Sequence, residues 1–415
     1  MKNSNSNPEK IYAAEKSRYD EFLKMNLSLD ISRGKPSSEQ LALSDGLLTA
    51  LKSSNDCIGS SDYRNYGFLD GIPEAKKLFS EFMGIDVDEI MILGNSSLNI
   101  MYDTLQKAMQ FGIMGNEPLN KQGEIKWLCP VPGYDRHFSV TEEFGIKMIN
   151  VPMTENGPDM DIVENYVNND PSVKGIWCVP KYSNPQGIVY DDETVRRFAQ
   201  LKPAAPDFRI YWDNAYMVHG FKQDLPILNL LKEAEKYGNA DIVYMFGSTS
   251  KITYAGGGIA FMAASVNNLN DFRKHLSVQT IGYDKINQLM HVKFFNNVEN
   301  IYIHMRKHAD LLRPKFQVVM DTLQEELSDV ATWYNPVGGY FVSCDLPEGT
   351  AKRTLELAKN AGVIFTPAGS TFPYKYDPAD SNVRIAPSFP PVDELKLAMQ
   401  VFCCCAKIAY YEKNI

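Results

Sequence analysis

Nowhere in this 415-residue chain is there an apolar run near the ~18 residues that a bilayer-spanning helix needs. Positive charge is also short: 42 Lys and Arg stand against 51 Asp and Glu, a formal net charge of −9. A surface of that sign repels nucleic acid and anionic membranes, so neither is expected as a partner. The opening MKNSNSNPEK holds no apolar stretch that could serve as a signal segment, which makes the cytoplasm the expected location. A cysteine framework is missing too. Cys57, Cys129, Cys178, Cys344 and the run Cys403–Cys405 make seven, an odd number whose spacing fits no zinc template. Consecutive cysteines on a helix point in different directions and chelate poorly. Reduced, mostly buried thiols and no metal site are expected. Internal repeats and low-complexity tracts are absent.

What is present is ordinary for a globular protein: 44% hydrophobic and 22% charged residues, in a chain long enough for a large domain plus a smaller one. Residues 8–25 read as an amphipathic helix and 38–54 as a short one, and a helix starts near Pro73. From EIMIL onward, apolar strands alternate with helical patterns: IKWLCP, IKMINVPM, GIWCVP, FRIYWDNAY and DIVYMFGS are the strands. That alternation is the signature of an α/β fold, a mostly parallel sheet covered on both faces, with its functional loops at the strand C-terminal ends. After residue 290 the pattern changes to one long helical stretch, NQLMHVKFFNNVENIYIHMRKHADLLRPKFQVVMDTLQEEL. An antiparallel strand pair around Gly338-Gly339 and a closing amphipathic helix follow, a smaller α+β domain.

Six loops carry chemistry. The segment VYMFGSTSKITYAGGGIAFMA sets Lys251 at a turn between two apolar strands, with no acidic neighbour. Burial without a counter-charge lowers a lysine's pKa and leaves a nucleophilic amine; a lysine at a solvent-exposed hairpin tip fits the same segment. Gly94-Asn95-Ser96-Ser97 leads into a helix N-terminus, suited to phosphate or to plain capping. Tyr134 and His137 follow one strand, and the turn asparagine Asn184 follows another. Asp213 ends an apolar strand with Tyr216 three residues on, and a buried carboxylate needs a cationic or protonated partner. Arg384 lies in the apolar VRIAPSF, either clamping a planar carboxylate or making a structural ion pair.

Taken in order, these elements resemble fold-type I PLP (pyridoxal phosphate) enzymes of aminotransferase class I/II. The chain is similar to the aspartate aminotransferase branch related to the aminotransferase portion of MocR-type proteins. SRGKP, YRNYGFLDGIPEAK, FGSTSKITYAGGGIAF and QTIGYDKINQLMH carry the finer likeness. The resemblance implies a PLP-transferase fold with a seven-stranded type of sheet. Residues 1–55 would form an N-terminal arm and part of the small domain, 56–300 the PLP-binding domain, and 301–415 the small C-terminal domain. It implies Lys251 as Schiff-base lysine and proton shuttle, and Asp213 as partner of the pyridinium nitrogen. Asn184 and Tyr216 would bind the ring phenolate, Tyr134 would stack on the ring, and His137 would support Asp213. Asn95, Ser96, Ser97, Ser248 and Ser250 would hold the phosphate, helped by Tyr66 across a homodimer interface with shared sites. Arg384, Asn184 and Gly34 would bind substrate.

The chain departs from the family at Ile259, where an arginine against the phosphate is usual. Backbone amides of Gly256–Gly258, with Ser248 and Ser250, are expected to compensate in part. The implied reaction exchanges an amino group between an L-amino acid, aspartate or glutamate, and a 2-oxo acid, 2-oxoglutarate or oxaloacetate. A distal carboxylate needs a second cation, for which Arg33, Lys35, Arg64 and Arg136 are positioned. Without one, aromatic or aminoadipate-type substrates fit better. A PLP lyase or decarboxylase would use the same lysine and aspartate and differ in product. A MocR-like effector-binding module would need a DNA-binding domain, and the roughly thirty residues before SRGKP are too few for a winged helix. The glycine triplet enters a strand rather than a helix, so it is not a dinucleotide fingerprint.

Overall fold

The computed structural model describes residues 7–415. Its centre is an eight-stranded sheet. In spatial order the strands are Ile90–Leu93, Ala260–Ala264, Val243–Ser248, Arg209–Asp213, Val173–Cys178, Lys126–Val131, Lys147–Thr154 and the two-residue edge Gly157–Pro158. Ala260–Ala264 and Gly157–Pro158 run against the other strands. The parallel run therefore delivers its C-terminal ends, with the loops after them, to one edge of the sheet. Against the expected seven-stranded type, the eighth strand is this short hairpin edge.

Strand periodicity divides the sheet's side chains cleanly between two cores. Ile90, Ile92, Ile210, Trp212, Val243 and Met245 face one; Met91, Leu93, Tyr211, Tyr244 and Phe246 face the other. Helices Pro73–Met83, Met160–Asn169, Asp192–Ala199 and Leu230–Glu235 cover the first face, and Ser97–Phe111, Asp135–Glu143 and Val266–Gln279 cover the second. With no solvated face, strands need not alternate in polarity, which is why they read as continuous apolar runs.

A third core joins the two ends of the chain. Tyr19 and Phe22 of helix Pro8–Lys24 pack there with helix Val392–Asn414, helix Ala351–Asn360 and the antiparallel strands Thr332–Trp333, Val342–Asp345 and Asn382–Ile385. All seven cysteines are buried; Cys403–Cys405 lie in this core. Leu29–Asp30 pairs in parallel with Val363–Ile364, which carries Ser32, Arg33 and Gly34 toward the sheet's functional edge.

The long helical stretch expected after residue 290 is two helices, Lys285–Phe295 and Val298–Leu327. Asn296 takes a positive φ of 64° between them, and Asn297 caps the second helix through a bond from the Asn300 amide. Asparagine tolerates that backbone better than most residues and is a strong N-cap. The second helix spans two cores, with Ile301 and Met305 in the first and Leu312 to Leu327 in the third.

Gly175 pairs across the sheet with Trp127, whose indole lies over the space a β-carbon would fill. Gly175→Ala should therefore lower stability by about 1–3 kcal/mol through overpacking. A urea midpoint equal to the parent's would show that the indole has room to move.

Candidate active site

Two adjoining cavities open at the sheet's C-terminal edge. The larger, about 340 Å³, is lined by residues that include Arg33, Gly34, Asp135, Arg136, Phe341, Thr366 and Arg384. The smaller, about 150 Å³, is lined by residues that include Ser96, Ser97, Asp213, Ser248 and Ser250. Tyr134, Asn184, Tyr216 and Lys251 stand in the walls of both. Residues from nine separate segments thus meet, although hundreds of positions separate Gly34 from Arg384.

Asp213 ends its strand only 2% exposed. Its Oδ2 lies 3.1 Å from His137 Nε2, while Oδ1 has no hydrogen-bond partner among the described residues. His137 is fixed in turn by stacking on Trp177, with centroids 4.5 Å apart, and by an edge contact with Tyr134. Half of a buried carboxylate is thereby left facing a cavity, a costly arrangement unless a donor enters it. The Lys251 amine sits 4.9 Å from the Tyr216 ring centroid with no hydrogen bond or ion pair among the described residues. Burial holds its pKa below the usual lysine value, against an opposing pull from Asp213. Burial also raises the Tyr134 and Tyr216 phenols, so both are neutral donors.

At the far end of the smaller cavity, Ser96 caps helix Ser97–Phe111 and Ser248 donates to Ser250 at 3.1 Å. This end holds hydroxyls and a helix N-terminus, and Lys251 is the one basic side chain lining the cavity among the described residues. Asn95 is exposed and stands outside that wall, supplying its carbonyl to Ser250 at 3.3 Å. Gly256–Gly258 lie outside it too, with the Gly257 amide donated to Tyr254. Ile259 is buried at the start of the returning strand. Of the two groups expected to compensate for the missing arginine, only the serines line the cavity. Tyr66 is 80% exposed and reaches neither cavity of its own chain.

At the other end Arg384 is buried. Its Nη1 donates to Asp135 Oδ1 at 2.7 Å and to Asn184 Oδ1 at 3.4 Å, and Nη2 donates to Thr366 at 3.3 Å. Its Nε is buried without a hydrogen-bond partner among the described residues. Gly34 approaches Phe341 so closely that a β-carbon would overlap the ring. Of the four cations positioned by sequence, Arg33 and Arg136 line the larger cavity and have no side-chain partner among the described residues. Lys35 instead lies over Phe389, and Arg64 is paired with Asp62 at 2.6 Å. Sequence reading missed Asp135, Thr366 and Phe341. Asp135 carried a usable signal, lying between two residues already singled out; the others lie in segments without a chemical mark.

Beneath the lysine turn is a buried histidine layer that sequence reading also missed. The Nε2–H groups of His219 and His304 donate to the carbonyls of Lys251 and Ile252, at 3.2 and 2.7 Å. His308 lies 3.1 Å from His304, and His291 is bound between Thr253 and the Asn287 carbonyl. Burial pushes His219 and His308 down to about 3 and His291 to about 4.

The chain matches the family described as "Aspartate amino-transferase" over residues 3–415. An aspartate aminotransferase from Corynebacterium glutamicum is 45% identical over 403 residues, 96% of this chain and 93% of that protein. The crystal structure of an aspartate transaminase from the same organism, 44% identical, superposes with a TM-score of 0.95 over 98% of each chain. LysN, an α-aminoadipate aminotransferase from Thermus thermophilus solved with N-(5'-phosphopyridoxyl)-L-leucine, shares the fold alone. It is 19% identical, with a TM-score of 0.76 over 96% of each chain.

The histidine layer makes a pH prediction. Each of these rings binds its proton below its ordinary value of about 6.5 when folded, so unfolding takes up protons at mildly acidic pH. Stability should fall as pH drops below about 6.5 toward the folded values, and His308→Gln should flatten that slope between pH 6 and 5. An unchanged slope in urea titrations would remove His308 from the account.

Conserved length, matching fold and a family match along almost the whole sequence agree: the chain belongs to the aspartate aminotransferase family of fold-type I PLP enzymes.

Proposed function

We propose that this chain is a PLP-dependent aspartate aminotransferase. It would exchange an amino group between aspartate or glutamate and 2-oxoglutarate or oxaloacetate, as a cytoplasmic homodimer with shared sites. The observation that carries the cofactor assignment is the unpartnered Asp213 Oδ1, buried in a cavity wall that also holds the unpaired Lys251 amine. A protonated heterocyclic nitrogen would satisfy that oxygen, and an aldehyde would meet a lysine whose lowered pKa favours the free amine. In this reading residues 56–300 form the PLP-binding domain, 1–55 the arm with part of the small domain, and 301–415 the rest.

When bound, PLP supplies an electrophilic aldehyde and a ring that withdraws electron density from the substrate α-carbon. Lys251 would be its covalent anchor and, once free, would hold the proton that moves to and from the α-carbon at Nζ. Asp213, steadied by His137, would keep the proton on the ring nitrogen. Asn184 and Tyr216 would donate to the phenolate oxygen, and Tyr134 would cover the ring. Ser96, Ser97, Ser248 and Ser250, with the helix N-terminus, hold the phosphate; Asn95 assists through its backbone, and Tyr66 acts on the partner's site. Arg384 binds the α-carboxylate, with Asn184 fixing its angle and Gly34 allowing the arm to close.

Support for a dicarboxylate comes from Arg33 and Arg136, two guanidiniums without side-chain partners among the described residues, in the same cavity as Arg384. An aromatic preference has no such support; aminoadipate, a longer dicarboxylate, would meet the same guanidiniums and differs from aspartate in reach alone. In a panel of amino donors, aspartate and glutamate should exchange fastest. Lys251→Ala should lose both turnover and the absorbance of bound cofactor. Arg33→Gln or Arg136→Gln should raise KM for aspartate by about tenfold, as expected for one charge-assisted hydrogen bond, with little change for 2-aminobutyrate. Comparable rates with phenylalanine or kynurenine would reject the dicarboxylate assignment.

A further inference from the structure

Arg384 already holds a carboxylate, and it belongs to the protein. The two partners are unequal: the arginine side chain is 8% exposed, whereas that of Asp135 is 31% exposed at the cavity rim. A guanidinium so buried is costly without a counter-charge, and the 2.7 Å bond to Asp135 supplies one. Asp135 depends on the bond less. It is the first residue of helix Asp135–Glu143, where the helix dipole stabilises a carboxylate turned to solvent. Its backbone is tied separately, the carbonyl accepting from Ser139 at 2.9 Å, so the side chain can turn away while the helix stays in place. Arg384 itself is held by Asn184 and Thr366 and backed by Phe341, 4.8 Å from its centre, and so is the fixed partner.

We infer that the Asp135 carboxylate is a resident competitor for the substrate carboxylate on Arg384, so that binding is an exchange of one carboxylate for another and Asp135 sets the affinity. The buried Nε beside Nη2, without a hydrogen-bond partner among the described residues, is a further donor for the incoming group once Nη1 has changed partner. On departure of the product, Asp135 returns and prevents a bare buried cation. No covalent bond is made or broken in this exchange.

The inference rests on the assignment of Arg384 to a substrate carboxylate. It is tested by calorimetric titration of the holoenzyme with succinate and, separately, with butyrate, in the parent and in Asp135→Asn. The substitution keeps the shape and removes the charge. Both ligands should bind Asp135→Asn about tenfold more tightly, the equivalent of one charge-assisted hydrogen bond no longer displaced. Asp135→Ala should change affinity in the same direction. Unchanged or weaker binding in the two variants would overturn the inference and leave Asp135 as a strut that orients Arg384. Whether succinate outbinds butyrate in the parent judges the dicarboxylate reading on its own, since competition at Arg384 affects both ligands alike.

Discussion

A carboxylate at the end of a central strand, 2% exposed and satisfied at only one oxygen, constrains everything built around Asp213. In a sheet covered on both faces, bulk water does not reach it through the strands' flanks, so the neighbouring loops must supply its partners. His137 does so from the first turn of a helix whose start is therefore fixed, and Tyr134 is brought over the same cavity as a consequence. Trp177, one strand across, holds the imidazole flat. The remaining oxygen gives the cavity its polarity, and the Lys251 amine shares the wall it faces.

The lysine turn is held just as firmly from below. The loop following Asp213 supplies His219, and the third core supplies Tyr340, whose hydroxyl reaches the Lys251 carbonyl at 3.5 Å. Gln40, from the N-terminal part of the chain, binds both Tyr340 and His308. The backbone that carries the amine is thus fastened at a junction of the cores. Uncharged imidazoles suit that place: a protonated ring beneath a lysine of lowered pKa would add like charge in a region that excludes water.

Much of this was readable in the sequence. IMIL, KWLCPV and VYMFGS are short apolar runs between helical patterns, and their two-faced burial follows from that composition. Lys251, Asp213 and Arg384 carried chemical types unusual for their apolar settings, Asn184 stood in the turn after a strand, and all four line the joined cavities. What escaped depends on contacts between distant segments. Helix Val266–Gln279 is rich in asparagine and polar residues, and its stability comes from packing Leu269, Phe272 and Leu276 onto the sheet. The pairing of Leu29–Asp30 with Val363–Ile364 leaves no local signature. Histidines 219, 291, 304 and 308 are scattered in sequence, and only the fold gathers them under one turn.

The distribution of charge in the joined cavities follows from the same placement. Three guanidiniums, of Arg33, Arg136 and Arg384, gather where the arm meets the third core, with Asp135 among them. The opposite end has hydroxyls and a helix N-terminus, and an aliphatic residue at Ile259. An anion held only by neutral donors loses little of its attraction in salt, because dipolar contacts are short-ranged, whereas an anion that also meets the exposed guanidiniums of Arg33 and Arg136 loses more. The two ends of the site therefore differ in kind. On the proposed function, the hydroxyl end would keep a resident cofactor in place through hydrogen-bond geometry and the guanidinium end would take up and release a succession of charged substrates.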